Sequence, residues 1–446
     1  MHKYIFEAVM KKILALIVLS AMTISFFSAC GKQVIEPSDD TELIDFRGDV
    51  LKFYIGEYTA QVTKKGGSAS SDREYDRIID TQNKFNLVFD YVRVVNVANT
   101  FLAGSLSGGM RADFLKANPK SIYESYMINT LIPAENVVND ASSDKWRTAG
   151  QQGCGIFDGK KYGIFPYYWE TSPSISGFIN LNLTTMSSYN IPTPHETIEA
   201  GEWDWDHFRD FLQQTSFKDG EIEWKGLGNL APSGECMLPF IIGNGGSYMT
   251  YSNGRYKTAI DSDESIEAMR FVESLIKDKL LYDIPTDDEE FGNGLGCMLW
   301  SGDIGTSEIY DMAYVRYPYG PNGSKDIVST ISHGDSMYAF PVFSAYTEDE
   351  IGAVTEYLFE PLSELYPNGW KDIYEDKVFF YHEDYEYYLR SVEEAVYLDN
   401  AALEESYTEF RTAMWRFFLG SSTPEAAVES VVDIIQADID EHYNKQ

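Results

Sequence analysis

Strand-like and helix-like segments alternate along the chain, and this alternation limits its fold more than any other feature of the sequence. The first β-prone run, Val50 to Ile55, ends at Gly56. Asp72 then begins a predicted helix, and Leu87 to Val92 form the next apolar strand. A strand, a helix and a second strand in this order are typical of a parallel crossover unit. We therefore predict an α/β protein.

Later segments follow the same pattern with clearer helix signals. Asp204 is a predicted N-cap, and either Ser262 or Asp263 is predicted to start a second helix. Thr423 is predicted to cap a helix whose first residue is Pro424. The apolar faces that follow these caps are typical of helices packed on a core. With 446 residues, the chain is long enough for two or three domains, and we predict two lobes.

The charge balance excludes one large class of partner. The chain has 70 Asp and Glu against 35 Lys and Arg, a formal charge of −35, whereas nucleic-acid binding depends on clustered cationic side chains. Aromatic residues make up 15% of the chain, which is too many for an acidic disordered protein. Both features are concentrated in residues 345–409, called here the acidic segment, for which we predict a solvated helical surface or a partner surface.

The N-terminus predicts export. Lys11 and Lys12 precede an apolar run from Ile13 to Phe27 that is short for a membrane span but typical of a signal peptide, and Met10 is a possible start. The small residues before Cys30 resemble a bacterial lipobox, in which the cysteine is acylated; an ordinary secretory signal is the alternative. We expect a signal peptide at 1–29, a tether at 30–48 and a lipid anchor at Cys30 that holds the protein on the outer face of the cytoplasmic membrane.

Motifs for chemistry are missing from the sequence. No phosphate-binding loop, nucleophile elbow, helical zinc motif or calcium loop is complete. The remaining cysteines, Cys154, Cys236 and Cys297, form no zinc or redox pair and are expected to be buried small side chains. We expect no enzyme activity, metal or cofactor. Carboxylates are so abundant that their number does not decide whether a pair suited to glycoside hydrolysis is present, and a secreted glycoside hydrolase stays an alternative.

The segment Asp158–Pro166 resembles a DGKxYGxP motif, and weaker motif matches in the same register cover nearly all of the mature chain: Leu102–Asp113, Leu131–Pro133, Phe178–Leu183, Ser188–Pro192, Trp203–Phe208, Asn244–Gly246, Ala259–Leu280, Cys297–Gly302 and Tyr317–Pro321. In their order and spacing these segments resemble family 1 extracellular solute-binding proteins, the maltose-binding-type receptors of ABC importers. The chain departs from the family at Leu181-Asn182, at Arg111-Ala112-Asp113 and in the larger acidic insertion around 366–400.

The resemblance implies a two-lobed fold of the periplasmic-binding-protein type II class, with a hinge between the lobes. We expect one lobe to contain residues 49–166 and about 297–316, and the other to contain 167–296 and about 317–446. It also implies a monomeric receptor that captures an oligosaccharide by lobe closure and delivers it to ABC permease subunits. A surface adhesion or sensor lipoprotein that binds glycans is a further alternative.

Ligands of α/β folds bind where strands end, so the cleft can be mapped to a few residues. The candidates at these strand ends are Glu57, Tyr58, Asn118, Trp169, Glu170, Trp300 and Asp303. The resemblance implies that Glu170 meets sugar hydroxyls and that Trp300 stacks on a sugar ring. The alternatives are a solvated hinge carboxylate for Glu170 and core packing for each aromatic residue.

Overall fold

The computed structural model describes most of the chain beyond the predicted tether. The described residues are 44–56, 65–66, 68–148, 150, 154–220, 222–228, 234–281, 297–302, 304, 310–399 and 402–444. The predicted signal peptide and Cys30 lie outside them. Residues 45–446 form one compact unit. The predicted tether ends earlier than expected, because Phe46 is buried and its ring lies 4.7 Å from that of Tyr346.

Strands and helices alternate as the sequence predicts. The strands are β1 (Asp49–Gly56), β2 (Leu87–Val94), β3 (Phe114–Ala117), β4 (Leu131–Ile132), β5 (Ile156–Phe157), β6 (Lys160–Lys161), β7 (Phe178–Asn182), β8 (Phe217–Asp219), β9 (Ile222–Gly228), β10 (Met249–Ser252), β11 (Arg255–Thr258), β12 (Cys297–Gly302), β13 (Met312–Arg316), β14 (Ile331–Ser332), β15 (Met337–Pro341) and β16 (Val396–Tyr397). The helices are α1 (Ala69–Phe85), α2 (Val97–Ser107), α3 (Pro119–Met127), α4 (Leu183–Ser188), α5 (His195–Glu199), α6 (Trp205–Gln214), α7 (Met237–Gly243), α8 (Asp263–Lys277), α9 (Glu348–Leu358), α10 (Trp370–Lys377), α11 (His382–Glu394), α12 (Glu404–Phe418), α13 (Pro424–Glu429) and α14 (Val432–His442).

The first lobe is built on a five-stranded sheet with the order β2-β1-β3-β15-β4. β1 pairs in parallel with both β2 and β3, which confirms the predicted crossover unit. The predicted helix begins earlier than Asp72, because Ser68 caps α1 through a reciprocal pair of hydrogen bonds with Ser71. Helices α2 and α3 cover one face of this sheet around Phe101 and Leu115.

The second lobe is built on a mixed sheet with the order β13-β7-β12-β9-β8. Its core contains Trp203, Phe240, Leu299 and the apolar faces of α6, α8, α12 and α14. The predicted caps Asp204, Ser262 and Thr423 all accept hydrogen bonds from the first turns of their helices.

The predicted lobe boundaries are wrong in two places. Residues 297–316 were expected in the first lobe, but β12 and β13 both pair with β7 in the second sheet. Residues 337–358 were expected in the second lobe, but β15 pairs with β3 and β4 in the first sheet. The physical reason is burial: Met337 and Phe340 fill the first lobe, and Leu299 and Ala313 fill the second.

In the described part of the chain, three segments connect the lobes. The first crossing (residues 164–177) and the second crossing (residues 330–338) run antiparallel, with paired residues at Ile164 and Tyr338 near the first lobe and at Ser176 and Ile331 near the second. The third crossing (residues 395–399) contains β16, which pairs in parallel with β14 of the second crossing. These segments form the hinge between the two sheets.

Two other expectations have structural outcomes. Cys154 and Cys236 are buried, as predicted, and both are free thiols, whereas the side chain of Cys297 lies outside the described residues. The acidic segment is not only a solvated surface, because Asp384, Tyr385 and Tyr388 of α11 are buried.

None of the helices in the described part of the chain combines the length and apolarity that a membrane span requires.

Candidate functional site

Two cavities lie beside the crossings. The hinge cavity has a volume of about 330 Å³ and is lined by Glu74, Lys116, Phe165, Pro166, Trp169, Thr171, Ser172, Ser174, Asp335, Ser336 and Tyr338. The interlobe crevice has a volume of about 300 Å³ and is lined by Asn118, Pro119, Lys120, His333, Gly334, Glu404, Tyr407, Thr408 and Arg411. Gly334 and Asp335 are neighbours in the segment between β14 and β15, so the two cavities adjoin the same stretch of chain. Both volumes are at the lower end of the range of small-molecule sites.

Lys116 is the main cation of the hinge cavity. It lies near the end of β3, and its Nζ lies 5.3 Å from the centre of the Tyr338 ring. Burial lowers the pKa of Lys116, and the nearby charge of Glu74 opposes that effect. No carboxylate of the described residues lies within ion-pair distance of its ammonium group. Lys116 can therefore donate hydrogen bonds to a ligand without first breaking an ion pair.

Both crossings supply polar groups to the same cavity. The backbone N–H of Ser174 donates to Oδ1 of Asp335 over 2.7 Å, which ties the first crossing to the second. Trp169 is buried against Phe359, with 5.2 Å between ring centres. Its Nε1–H has no hydrogen-bond partner among the described residues. An acceptor on a ligand would satisfy this donor.

An ion pair between Arg73 and Glu170 lies next to the hinge cavity, which their chain neighbours Glu74 and Trp169 line. Nε and Nη2 of Arg73 donate to the two carboxylate oxygens of Glu170, each over 2.5 Å. The Glu170 side chain is 1% exposed and that of Arg73 is 30% exposed. Because Arg73 belongs to α1 and Glu170 to the first crossing, the pair joins the first lobe to the hinge.

The interlobe crevice has walls from both lobes. Lys120, in the first turn of α3, forms an ion pair with Glu404, in the first turn of α12. Oδ1 of Asn118 caps α3 by accepting from the backbone N–H of Ser121 over 2.9 Å. The Asn118 side-chain amide group stays available to donate. A ligand in this crevice would contact both lobes at once.

A polar cluster lies at the second-lobe wall of the crevice. Glu235 lies 3.4 Å from Nε2 of His333 and 3.4 Å from Nε of Arg411. Burial raises the pKa of Glu235, but the hydrogen bond with His333 and the charge of Arg411 outweigh it and hold that pKa below its ordinary value. Burial and the charge of Glu235 raise the pKa of Tyr407 far above its ordinary value. The cluster therefore presents neutral and cationic donors around one shared carboxylate.

The arrangement is suited to binding a neutral polar ligand. Hydroxyl-rich molecules need donors, acceptors and apolar faces in one site, and the two cavities provide Lys116, Asp335, Arg411 and the rings of Trp169 and Tyr407. Within the described ranges, no group of three histidine, cysteine, aspartate or glutamate side chains is placed to hold a metal ion.

The structure places the predicted site residues in different surroundings. Asn118 lines the interlobe crevice and Trp169 lines the hinge cavity, so these two do not share one cavity. Glu170 lies beside Trp169 in the first crossing, but Arg73 encloses its carboxylate. Trp300 belongs to β12, where it pairs with Asn180 and Gly228, and its side chain lies outside the described residues. Glu57, Tyr58 and Asp303 also lie outside them, and the ligand contacts predicted for all seven residues stay predictions.

Sequence reasoning predicted neither the residues of the polar cluster nor Lys116, the cation of the hinge cavity, as site residues. Lys116 lies one position before the end of β3, and the strand-end rule selected Asn118, two positions further on. Tyr407 and Arg411 are one helical turn apart on α12, a spacing that indicates only a shared helix face. His333 and Glu235 come from loops without a recognisable motif. The isolated Lys116 in a β-prone run was the one usable signal.

Comparison with known proteins supports the fold. No protein-family model matches the sequence, and a comparison with curated protein sequences found no match. The chain is similar in structure to the GacH receptor of Streptomyces glaucescens, solved without ligand and with acarbose, with 14% identity, a TM-score of 0.61 and coverage of 89% of this chain and 99% of the receptor. It is also similar to the cyclic α-maltosyl-1,6-maltose binding protein from Arthrobacter globiformis, with 14% identity, a TM-score of 0.63 and coverage of 88% and 99%.

A third similar structure carries a different ligand. UgpB from Mycobacterium tuberculosis, in complex with glycerophosphocholine, is 13% identical, with a TM-score of 0.60 and coverage of 88% of this chain and 98% of UgpB. These likenesses show that the chain has the two-lobed α/β fold of solute-binding receptors, which confirms the predicted fold class. All three similar proteins bind small polar molecules.

Proposed function

We propose that this protein is a receptor that captures a carbohydrate, with an oligosaccharide as the expected ligand, between its two lobes. The observation that carries the proposal is the interlobe crevice, where polar side chains of α3, the second crossing and α12 face one space on a fold shared with sugar receptors. A ligand that contacts both lobes shifts the population towards the closed state, because only that state offers both sets of contacts. Binding of this kind requires no bond to be broken.

We further propose that the receptor is exported, anchored by lipid at Cys30 and coupled to the permease subunits of an ABC importer. The lipobox-like sequence before Cys30 supports the anchor, and the resemblance to family 1 solute-binding proteins supports the importer. Acyl chains contribute about 0.8 kcal/mol for each buried methylene group, so two or three chains would hold an acidic protein on a membrane without electrostatic attraction. Mass spectrometry of the membrane-associated protein would detect the acylated Cys30.

A thermal-shift screen followed by calorimetry tests the carbohydrate proposal. The panel contains maltose-type, cyclic and other oligosaccharides, with glycerophosphocholine as the competing ligand class. A ligand at 100 times its dissociation constant adds about 2.7 kcal/mol of stability, which a melting curve detects. We expect saturable binding of at least one carbohydrate and its recovery unchanged. Stabilisation by glycerophosphocholine alone, or a hydrolysis product in the mixture, would refute the proposal.

Two arginines on α12 provide a matched pair of variants. Arg411 lines the crevice, whereas Arg416 is exposed one to two turns later on the same helix. We expect Arg411→Ala to weaken carbohydrate binding roughly tenfold, because a charge-assisted hydrogen bond contributes about 1.5–3 kcal/mol. Arg416→Ala should leave the affinity unchanged. Equal effects of the two substitutions would show that the crevice is not the binding site.

A further inference from the structure

The acidic insertion has a structural role that the binding site alone does not explain. Its helices α10 and α11 do not line either cavity. They instead cover the first crossing, the hinge segment that contains Trp169 and Ser172. We call residues 366–394 the hinge brace.

The brace contacts the backbone of the first crossing directly. The backbone N–H of Trp370 donates to the carbonyl of Trp169 over 2.8 Å. Gly369 has a φ of +63°, and a Cβ at this position would lie 2.1 Å from the carbonyl oxygen of Tyr168 and 2.3 Å from that of Trp169. Only glycine permits this approach, because any side chain would collide with both carbonyl groups.

A side-chain hydrogen bond reaches the hinge cavity itself. Oγ of Ser172 donates to Oη of Tyr374 over 2.6 Å. Ser172 lines the cavity and Tyr374 belongs to α10 of the brace. The Tyr374 ring stacks on that of Tyr388, with 5.2 Å between centres, so the phenol oxygen is held in place. The brace therefore fixes both the backbone of Trp169 and the hydroxyl of Ser172.

Apolar packing gives this contact rigidity. Trp370 is fully buried, and its ring lies 5.5 Å from that of Tyr167 in an edge-to-face arrangement. One core cluster combines residues of the first crossing with residues of the brace and of its end: Phe165, Tyr167, Ile175, Phe178, Trp370, Tyr388, Val392 and Ala395. A segment packed in this way has few alternative conformations.

The brace is also attached to both lobes. On the first lobe, Nη2 of Arg147 donates to Glu393 over 3.2 Å. On the second lobe, Asp384 accepts from the backbone N–H of Tyr314 over 3.1 Å and from Nε2 of His195 over 3.1 Å. The brace thus contacts both lobes, which the hinge allows to move relative to each other.

We propose that the hinge brace positions Trp169 and Ser172 for ligand binding in the hinge cavity, with Tyr374 as the positioning residue that acts through Ser172. This inference rests on the proposed receptor function, since it assigns a role to residues of the hinge cavity, which adjoins the interlobe crevice at Gly334 and Asp335 of the second crossing. Tyr374 does not touch the cavity, so any effect of its hydroxyl on affinity must pass through the crossing.

A conservative substitution tests this role. Tyr374→Phe keeps the ring and removes the hydroxyl, and we expect it to weaken binding of the carbohydrate found in the screen about threefold. The matched control is Tyr385→Phe, since the Tyr385 hydroxyl donates within the brace to the carbonyl of Lys371 over 3.1 Å and does not contact the crossing. The control should bind with the wild-type affinity. Wild-type affinity of Tyr374→Phe would overturn the proposal.

A double-mutant cycle separates positioning from general destabilisation. Ser172→Ala should weaken binding as much as Tyr374→Phe, and the double variant should lose no more than either single variant. Additive losses would mean that the two hydroxyls act independently, and this would overturn the proposed coupling.

A measurement without ligand keeps the brace testable if no carbohydrate binds. Hydrogen–deuterium exchange of the purified protein reports the opening of backbone hydrogen bonds in residues 164–177. We expect faster exchange there in Tyr374→Phe than in the wild type and in Tyr385→Phe. Equal exchange rates in all three proteins would refute the positioning role of the hinge brace. The absence of any carbohydrate ligand would refute only the receptor function.

Discussion

The ion pair between Arg73 and Glu170 distinguishes a hinge role for Glu170 from a ligand contact. Sequence reasoning assigned Glu170 to the sugar, whereas the structure shows both of its carboxylate oxygens bound by Arg73. The substitution Glu170→Gln keeps the size and removes the charge. If the carboxylate stabilises the hinge, the variant should lose stability in the absence of any ligand.

The expected loss follows from the burial of the two partners. Removing one partner of a fully buried ion pair costs about 3–5 kcal/mol. Arg73 is 30% exposed and regains some hydration, so we expect about 2–3 kcal/mol here. The unfolding entropy of a unit of roughly 400 residues is about 0.8 kcal/mol per degree, so the melting temperature should fall by about 3–4 °C.

Calorimetric melting of four proteins measures this coupling. The set consists of the wild type, Glu170→Gln, Arg73→Gln and the double variant. We expect the double variant to be no less stable than Glu170→Gln, because the buried charge left without its partner has been removed. An unchanged melting temperature of Glu170→Gln together with a large loss of carbohydrate affinity would refute the hinge role and favour the ligand contact.

Two further predictions concern single charges at the cavities. Lys116→Met should weaken carbohydrate binding about tenfold. Its melting temperature should stay within a few degrees of that of the wild type, because the substitution breaks no ion pair among the described residues and burial already lowers the pKa of the lysine. A large loss of stability with unchanged affinity would contradict this prediction. The pKa of Glu235 is below its ordinary value in the folded protein, so its charge contributes stability that is present above the unfolded pKa of about 4.3 and is lost as the pH falls through the folded pKa. The stability difference between the wild type and Glu235→Gln should therefore be constant near neutral pH and shrink below about pH 4; a difference that stays constant in acid would contradict this.

Local signals predicted most elements but not the lobe boundaries. Caps such as Thr423 and Asp204 depend on neighbouring residues, so the sequence alone locates them. The place of β15 between β3 and β4 depends on pairing with strands more than 200 residues earlier in the chain. An apolar run such as Met337–Pro341 fits either sheet until that pairing is known. Boundaries that follow from long-range pairing were therefore the part that sequence reasoning placed wrongly.

The candidate site shows the same division. The rule that ligands bind at strand ends led to Asn118 and Trp169, which both line cavities. The rule could not find Tyr407 and Arg411, because α12 reaches the crevice only through the third crossing. It also could not show that Glu170 is already paired, since Arg73 lies almost 100 positions earlier. A residue type at a strand end predicts a position near a cleft but not the partners already bound there.

The combination of many acids with many tyrosines has a physical explanation in the folded chain. With 35 Lys and Arg against 70 Asp and Glu, one-to-one pairing leaves half of the carboxylates without a Lys or Arg partner. Tyrosine hydroxyls serve as neutral donors instead: Tyr346 donates to Asp49 over 2.6 Å, and Tyr443 donates to Asp399 over 2.6 Å. Burial and the bond to Asp49 raise the pKa of Tyr346 to about 12, so its hydroxyl keeps the proton at physiological pH. These tyrosines thus donate hydrogen bonds to carboxylates without adding positive charge. In the hinge brace the tyrosine hydroxyl has the opposite role, because Tyr374 accepts a hydrogen bond from Ser172.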